Sequence, residues 1–278
     1  MEGDRQTAEV GVLALKLLLT PTIMVAATLA GRRFGRAVSG WFIGLPLTSG
    51  PIALIFAVEH GHRFAAHAAT GSLGGAIAEV GFCVGYAFAS RHSWQLAVLG
   101  GSAGFAAVAG VLEALSVGLR PAAILVLAAC ALAALMLGLS LVHGGPPVDD
   151  EVLPSRWDIP ARAIVTTAFL LALTALATTF GPSLSGLLAV YPLYSVVMAA
   201  FAHRSHGAAA ARQVLRGLLF GLFSFVAFYC VLAIALPRIG TGAAFGCALA
   251  ATLAVQAATI PLLFATGARS SVDRATAF

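Results

Sequence analysis

The chain is 278 residues long, 60% hydrophobic and 10% charged, with a mean hydropathy of +0.96. Soluble domains average roughly 25% charged residues, so lipid is the solvent for most of this chain, and at about 20 residues per crossing there is no room for a sizeable soluble domain. The net charge of +5 sits in short islands between apolar runs, a scatter that excludes a nucleic-acid-binding surface.

In chain order, the opening MEGDRQTAEV is acidic and polar, whereas a cleavable signal starts basic; it reads as a mature end. The first apolar span covers about 9–30 and contains Lys16 near its start. The second, 39–58, contains Gly44-Leu45-Pro46-Leu47-Thr48-Ser49-Gly50-Pro51. Two prolines and two glycines so close predict a kinked or discontinuous helix, because proline removes a backbone donor and frees a carbonyl one turn back. The third span, 68–90, has Glu79 at its midpoint, and the fourth, 95–117, has Glu113 near its end. The fifth, 121–143, is followed by a polar linker at about 144–159, marked by the run HGGPPVDDEVLPSRWD (143–158). Spans at 160–180 (with Arg162), 185–202, 213–236 and 241–266 (with Gln256) complete the chain, leaving a polar tail at 267–278. Helices are required throughout, since the runs are too long for barrel strands and unpaired backbone groups are too costly in hydrocarbon.

The two halves repeat each other. Residues 34–76 align without a gap on 180–222 at an offset of 146, with 14 identities in 43 pairs. The matches include Phe34-Gly35 with Phe180-Gly181, Ser39-Gly40 with Ser185-Gly186, Pro46-Leu47 with Pro192-Leu193, Ser49 with Ser195, and His60-Gly61 with His206-Gly207. The repeat unit is four helices: spans 1–4 map onto spans 6–9, and span 5 stands between them. The expected organisation is a first repeat at 1–117, a connecting helix and linker at 118–159, and a second repeat at 160–266. An odd number of helices separates the two repeat starts, so the units enter the membrane from opposite sides. The expected fold is therefore an all-α membrane protein of about nine transmembrane helices, two four-helix inverted-topology repeats plus a connecting helix. Charge agrees. With the N-terminus outside, inner faces hold eleven basic residues and outer faces five. Loop 31–38 has three arginines where its counterpart 177–184 has none.

Discontinuous helices at matching positions of two halves point to a substrate site. Pro46 and Pro192 mark the breaks, and Thr48, Ser49, Tyr194 and Ser195 supply hydroxyls beside them; the competing reading is that the hydroxyls only re-satisfy freed carbonyls. Glu79 lies where a charged carboxylate costs roughly 2.5–3.5 kcal/mol. Desolvation there penalises the charged form, which suits a proton carrier or cation ligand; a neutral glutamic acid bonded to a neighbouring helix is the structural alternative. Its counterpart is Phe225, so the acid breaks the symmetry. Gln256 is a polar group at similar depth. Lys16 and Arg162 are counterparts, read either as ends of an anion pathway or as interface anchors. His60 and His206 read first as helix ends, and Gly71, Gly74, Gly75, Gly100, Gly101 and Gly104 as close-packing positions. The four cysteines all fall in apolar runs without a metal-ligand spacing and are expected to be buried. No nucleophile, base or metal cluster is present, so neither an enzyme nor a metal or cofactor site is expected.

The run SGLLAVYPLYSVVMAAFAHRSHG at 185–207, and with it 39–75, resembles the GlpM-like family of very small bacterial inner-membrane proteins. The resemblance implies a fused, duplicated version of a single-unit membrane protein; that family has no settled substrate to carry over. The four-helix unit and inverted pairing also resemble the drug/metabolite transporter superfamily at the level of fold. The function expected is secondary transport of a small molecule, coupled to protons, across the bacterial inner membrane. The alternative is a non-catalytic subunit or scaffold in cell-envelope or exopolysaccharide biosynthesis. Expected partners are the bilayer and a small-molecule substrate or proton, with a homodimer left open.

Overall fold

The computed structural model describes residues 2–115, 121–143, 157–179 and 191–275, with side chains for 17–115, 124–143, 157–175 and 191–263. Every element among them is helical: α1 Glu2–Phe34, α2 Arg36–Ile43, α3 Ser49–Glu59, α4 His62–Ala89, α5 Trp94–Ala114, α6 Pro121–Leu141, α7 Asp158–Thr179, α8 Leu193–Ile239 and α9 Thr241–Ala275. Six of them, α4 to α9, are long and apolar enough to cross a membrane. α3, at 11 residues, is apolar but short.

The second span is thus two short helices rather than one, with Gly44–Thr48 unwound between α2 and α3. The spans expected at 185–202 and 213–236 differ from their outline in another way. They join as α8 across a kink at Gly207, with no ten-residue loop between them. A single residue suffices because Gly207 adopts φ 81°, a region open to glycine at no steric cost. Its counterpart Gly61 makes the same turn, at φ 85°, between α3 and α4. Polar residues such as His62, Arg63, Arg204 and Arg212 therefore lie on helical turns instead of in loops.

The packing is built on backbone proximity. α4 and α5 form an antiparallel hairpin in which a Cβ on Gly81 would meet the Gly104 carbonyl at 2.7 Å, and one on Gly101 would meet the Phe82 ring at 2.6 Å. Without a hydrophobic drive between helices in lipid, such dispersion contact is the main source of association. Gly100, Gly101 and Gly104 serve close packing as expected. Gly71 and Gly75 do not, since a side chain at either would meet nothing within 4 Å. On the other side, Gly217 and Gly221 of α8 lie against the α2 backbone at Ala37 and Trp41. The core gathers where α4, α6 and the second half of α8 meet: Leu73, Phe82, Leu135, Leu215, Leu219 and Leu222 are fully buried. Cysteine burial holds for Cys83 only; Cys230 is half-buried, and Cys130 and Cys247 are exposed on the outside of the bundle. Residues 144–156 of the polar linker, the tail end 276–278 and residues 180–190, including Ser185 and Gly186 of the repeat signature, lie outside the described residues.

Two pairs of counterpart helices run antiparallel. Arg32, in the last turn of α1, bonds Asp158, the first residue of α7, at 3.1 Å. Arg212, just beyond the Gly207 kink, reaches Ser90 at the end of α4 (3.3 Å), while Tyr229, far along α8, faces Ser72 near the start of α4.

Candidate functional site

The turns at Pro46 and Pro192 share one local geometry. Leu47 N–H donates to the Leu45 carbonyl at 2.8 Å, and Leu193 N–H donates to the Tyr191 carbonyl at 2.8 Å. Each is a three-residue γ-turn centred on a proline, and Pro192 has the φ of −76° and ψ of 62° that define the inverse form. Each proline carbonyl then accepts the next helix's first bond, from Gly50 at 2.9 Å and from Val196 at 3.0 Å. Proline fits because its fixed φ matches the turn and it has no N–H to leave unpaired. The residues following each turn, Thr48 and Ser49 or Tyr194 and Ser195, begin a new helix with hydroxyls not committed to the turn.

These hydroxyls meet. The Tyr194 hydroxyl donates to Thr20 Oγ1 of α1 at 3.0 Å and also has Thr48 as a partner. The turn at Pro192 is therefore in contact with the turn at Pro46. Ser195, buried, donates to Glu79 Oε1 at 2.6 Å, across 116 residues of chain. Its counterpart Ser49 meets the Tyr229 hydroxyl, which also faces Ser72. Tyr229 is the counterpart of Cys83, one turn along α4 from Glu79. The same serine in each repeat thus contacts the same helix of the other repeat: a carboxyl in one case, a phenol in the other. Glu79 is half-buried and turned toward α8, with Ala78 and Val80 buried on either side of it. A neutral carboxyl hydrogen-bonded by a hydroxyl avoids most of the burial penalty of the ion, and the Ser195 hydroxyl is the oxygen that meets Glu79 here.

Gln256 lies apart from this centre. It is 6% exposed, its Oε1 accepts from Ser224 at 2.7 Å, and its Nε2 has no hydrogen-bond partner. Beside it Trp41 Nε1 donates to Thr259 Oγ1 at 3.1 Å, tying α2 to α9. Tyr191 donates or accepts at Ser102 Oγ (2.6 Å) and packs edge-on to Phe105 and Phe169. Arg162 is buried: its Nε donates to Asp158 Oδ1 at 3.0 Å and its guanidinium lies over Phe201 at 5.0 Å. The Lys16 side chain lies outside the described residues. His60 caps α3 through its N–H to the Phe56 carbonyl at 2.9 Å and stacks on Phe64 at 4.8 Å, a helix end as expected. Among the described residues no group of three His, Cys, Asp or Glu side chains converges to hold a metal.

Four contributors were not singled out from sequence: Thr20, Ser72, Tyr229 and Asp158. Tyr229 was accessible by transferring the α4 acid's neighbourhood through the repeat. Asp158 stands four residues before Arg162, the spacing of a helical ion pair. Thr20 and Ser72 carried no signal beyond being polar in an apolar run. Comparison with protein-family models, curated proteins and solved structures gives no match.

Proposed function

We propose that this protein is a proton-coupled secondary transporter of a small molecule, working by alternating access in the bacterial inner membrane. The single observation that carries the reading is the Ser195–Glu79 bond at 2.6 Å, which couples the only acid of α4 to a helix start that follows a proline turn. A rearrangement of that break moves the hydroxyl that holds the carboxyl. Loss or gain of a proton at Glu79 then biases the position of α8, and the reverse holds by linkage.

Inverted-topology repeats supply the second element of the mechanism. The antiparallel course of α1 against α7, and of α4 against the second half of α8, supports inversion, because these are counterpart helices. Such repeats can exchange conformations, opening the site first to one side and then to the other. Thr48, Ser49, Tyr194 and Ser195 line the contact between the two breaks and are the groups we assign to the substrate, with Glu79 as the coupling acid. The GlpM-like resemblance fits a duplicated unit of this kind.

The test is a Glu79→Gln variant reconstituted in proteoliposomes loaded with a pH-sensitive dye. The amide keeps the size and can still accept from Ser195, but it cannot carry a proton. Solute-induced proton movement is expected in the wild type and absent in the variant, with equal insertion and thermal stability. A Glu79→Gln protein with undiminished flux overturns proton coupling through this residue; a wild-type protein with no flux for any solute tested, and normal growth of cells carrying the variant, favours the scaffold role.

A further inference from the structure

At the end of the bundle where α1 finishes and α7 begins, a cavity of about 230 Å³ opens among α1, α2, α7 and α8. Among the described residues its charged lining is the guanidiniums of Arg32, Arg36 and Arg162 and the carboxylate of Asp158, with His206 beside them. Asp158 is gripped from two sides. Arg32 Nη2 bonds Oδ2 at 3.1 Å from α1, and Arg162 Nε bonds Oδ1 at 3.0 Å from its own helix. A carboxylate held between two arginines is the geometry in which proteins bind carboxylates and phosphates.

Arg162 is the more telling partner. It is 7% exposed, yet its Nη1 reaches only the Met198 sulfur at 3.3 Å, a weak acceptor. A buried guanidinium costs heavily unless its donors are satisfied. Among the described residues its donors meet one carboxylate oxygen and one thioether, and the side chain lines the cavity. The site also leads inward: Met198 lies one turn along α8 from Tyr194 and Ser195, and Thr28, on the cavity wall, lies two turns along α1 from Thr20. The rise of about 1.5 Å per residue sets Met198 about 6 Å along the helix from the hydroxyls at the break.

We infer that this cavity is an oxyanion site, that it takes the carboxylate or phosphate of a small molecule, and that Asp158 is a tethered stand-in which the arriving anion displaces from Arg162. The inference rests on the transport reading and names its substrate class. The displaced Asp158 also releases Arg32, so binding loosens the α1–α7 junction, the contact between counterpart helices nearest the cavity. Three fixed positive charges raise the local concentration of anions before any specific contact forms.

The experiment is a titration of the full-length protein in phosphatidylcholine nanodiscs with inorganic phosphate and, separately, succinate, using sodium chloride at matched ionic strength as the control. At least one of the two anions is expected to bind saturably. Arg162→Gln is expected to weaken that binding about tenfold or more, the loss typical of a charge-assisted bond. Arg32→Gln, at a more exposed position, gives a second reading should Arg162→Gln fail to fold. Asp158→Asn is the discriminating variant: removing the competing carboxylate is expected to tighten binding about threefold, within the range of a partly exposed ion pair. A parallel titration in nanodiscs containing phosphatidylglycerol separates the sources. If that lipid abolishes binding of the soluble anions in wild type, and Arg162→Gln does not retain the lipid, the occupant is a headgroup phosphate and the oxyanion site stands. Equal behaviour of wild type and arginine variants in every arm, or weaker binding in Asp158→Asn, overturns it. The outcomes separate from the transport test: anion binding with undiminished flux in Glu79→Gln leaves the site and removes the coupling, whereas proton-coupled flux of a neutral solute without anion binding does the reverse.

Discussion

Glu79 and Ser195 form a bond whose energy is modest and whose placement gives it consequence. A net hydrogen bond contributes about 0.5–1.5 kcal/mol, small beside the penalty for an ionised carboxylate at the same depth. Ser195→Ala removes the donor and leaves Oε1 without its partner at 2.6 Å. A loss of about 1 kcal/mol in unfolding free energy is expected, together with a fall in coupled flux that Ser195→Thr restores. Thermal unfolding and proteoliposome flux measured on the same preparations check this; equal loss in both threonine and alanine variants contradicts it. The carboxyl itself was legible in the sequence, because an acid amid GGAIAEVGFCVGYAF stands out from the apolar run and needs a use or a hydrogen-bonding partner. Its partner was legible as a polar residue beside a proline but not as a partner, since a contact across 116 residues leaves no local trace. Arg162 illustrates the same limit: its charge was plain, but its burial depends on Asp158, Met198 and Phe201 arriving from different positions on α7 and α8.

Among the elements, proline and glycine decide the architecture. The turns at Pro46 and Pro192 suit proline's fixed φ and missing N–H, and the single-residue turns at Gly61 and Gly207 suit glycine's freedom at positive φ. The interruption at Pro46 was readable from two prolines and two glycines within eight residues, whereas Pro21, Pro237 and Pro261 lie inside helices; that the turns at Pro46 and Pro192 are both γ-turns was not readable. Glycine's packing role was readable only by half. Gly81 and Gly71 stand ten residues apart on α4, yet one is pressed on the Gly104 carbonyl and the other faces open space. Which face a helix presents to its neighbour depends on where the neighbour sits, and in a helix apolar on all sides the pattern of side chains does not mark it. Gly81→Leu is therefore expected to destabilise the α4–α5 hairpin by about 1–3 kcal/mol through overpacking, while Gly71→Leu leaves stability within about 0.5 kcal/mol of wild type. Chemical or thermal unfolding in detergent distinguishes them, and similar loss in both refutes the helix faces described here.

At the scale of the whole molecule, the duplication is the organising fact. The offset of 146 recurs in the γ-turns, in the positive-φ glycines and in the serines that reach across to the opposite repeat. Duplication was legible because its matches fell on Gly, Pro, Ser and His, which tolerate few substitutes in these conformations. The sequence bears on the direction of the second unit only indirectly, through the parity of helices and the distribution of arginines, and inversion belongs to the proposal. It is also the point on which alternating access depends. α4 spans 28 residues, about 42 Å at 1.5 Å per residue, and its far end at Ser90 meets Arg212, five residues past Gly207. Gly61 and Gly207 consequently lie at opposite ends of the bundle although they are counterparts. In a cysteine-free background, His62→Cys and Ala208→Cys labelled in intact cells with a membrane-impermeant maleimide test this directly. His62→Cys is expected to react from outside and Ala208→Cys only after the membrane is opened. Labelling of both from the same side would contradict it.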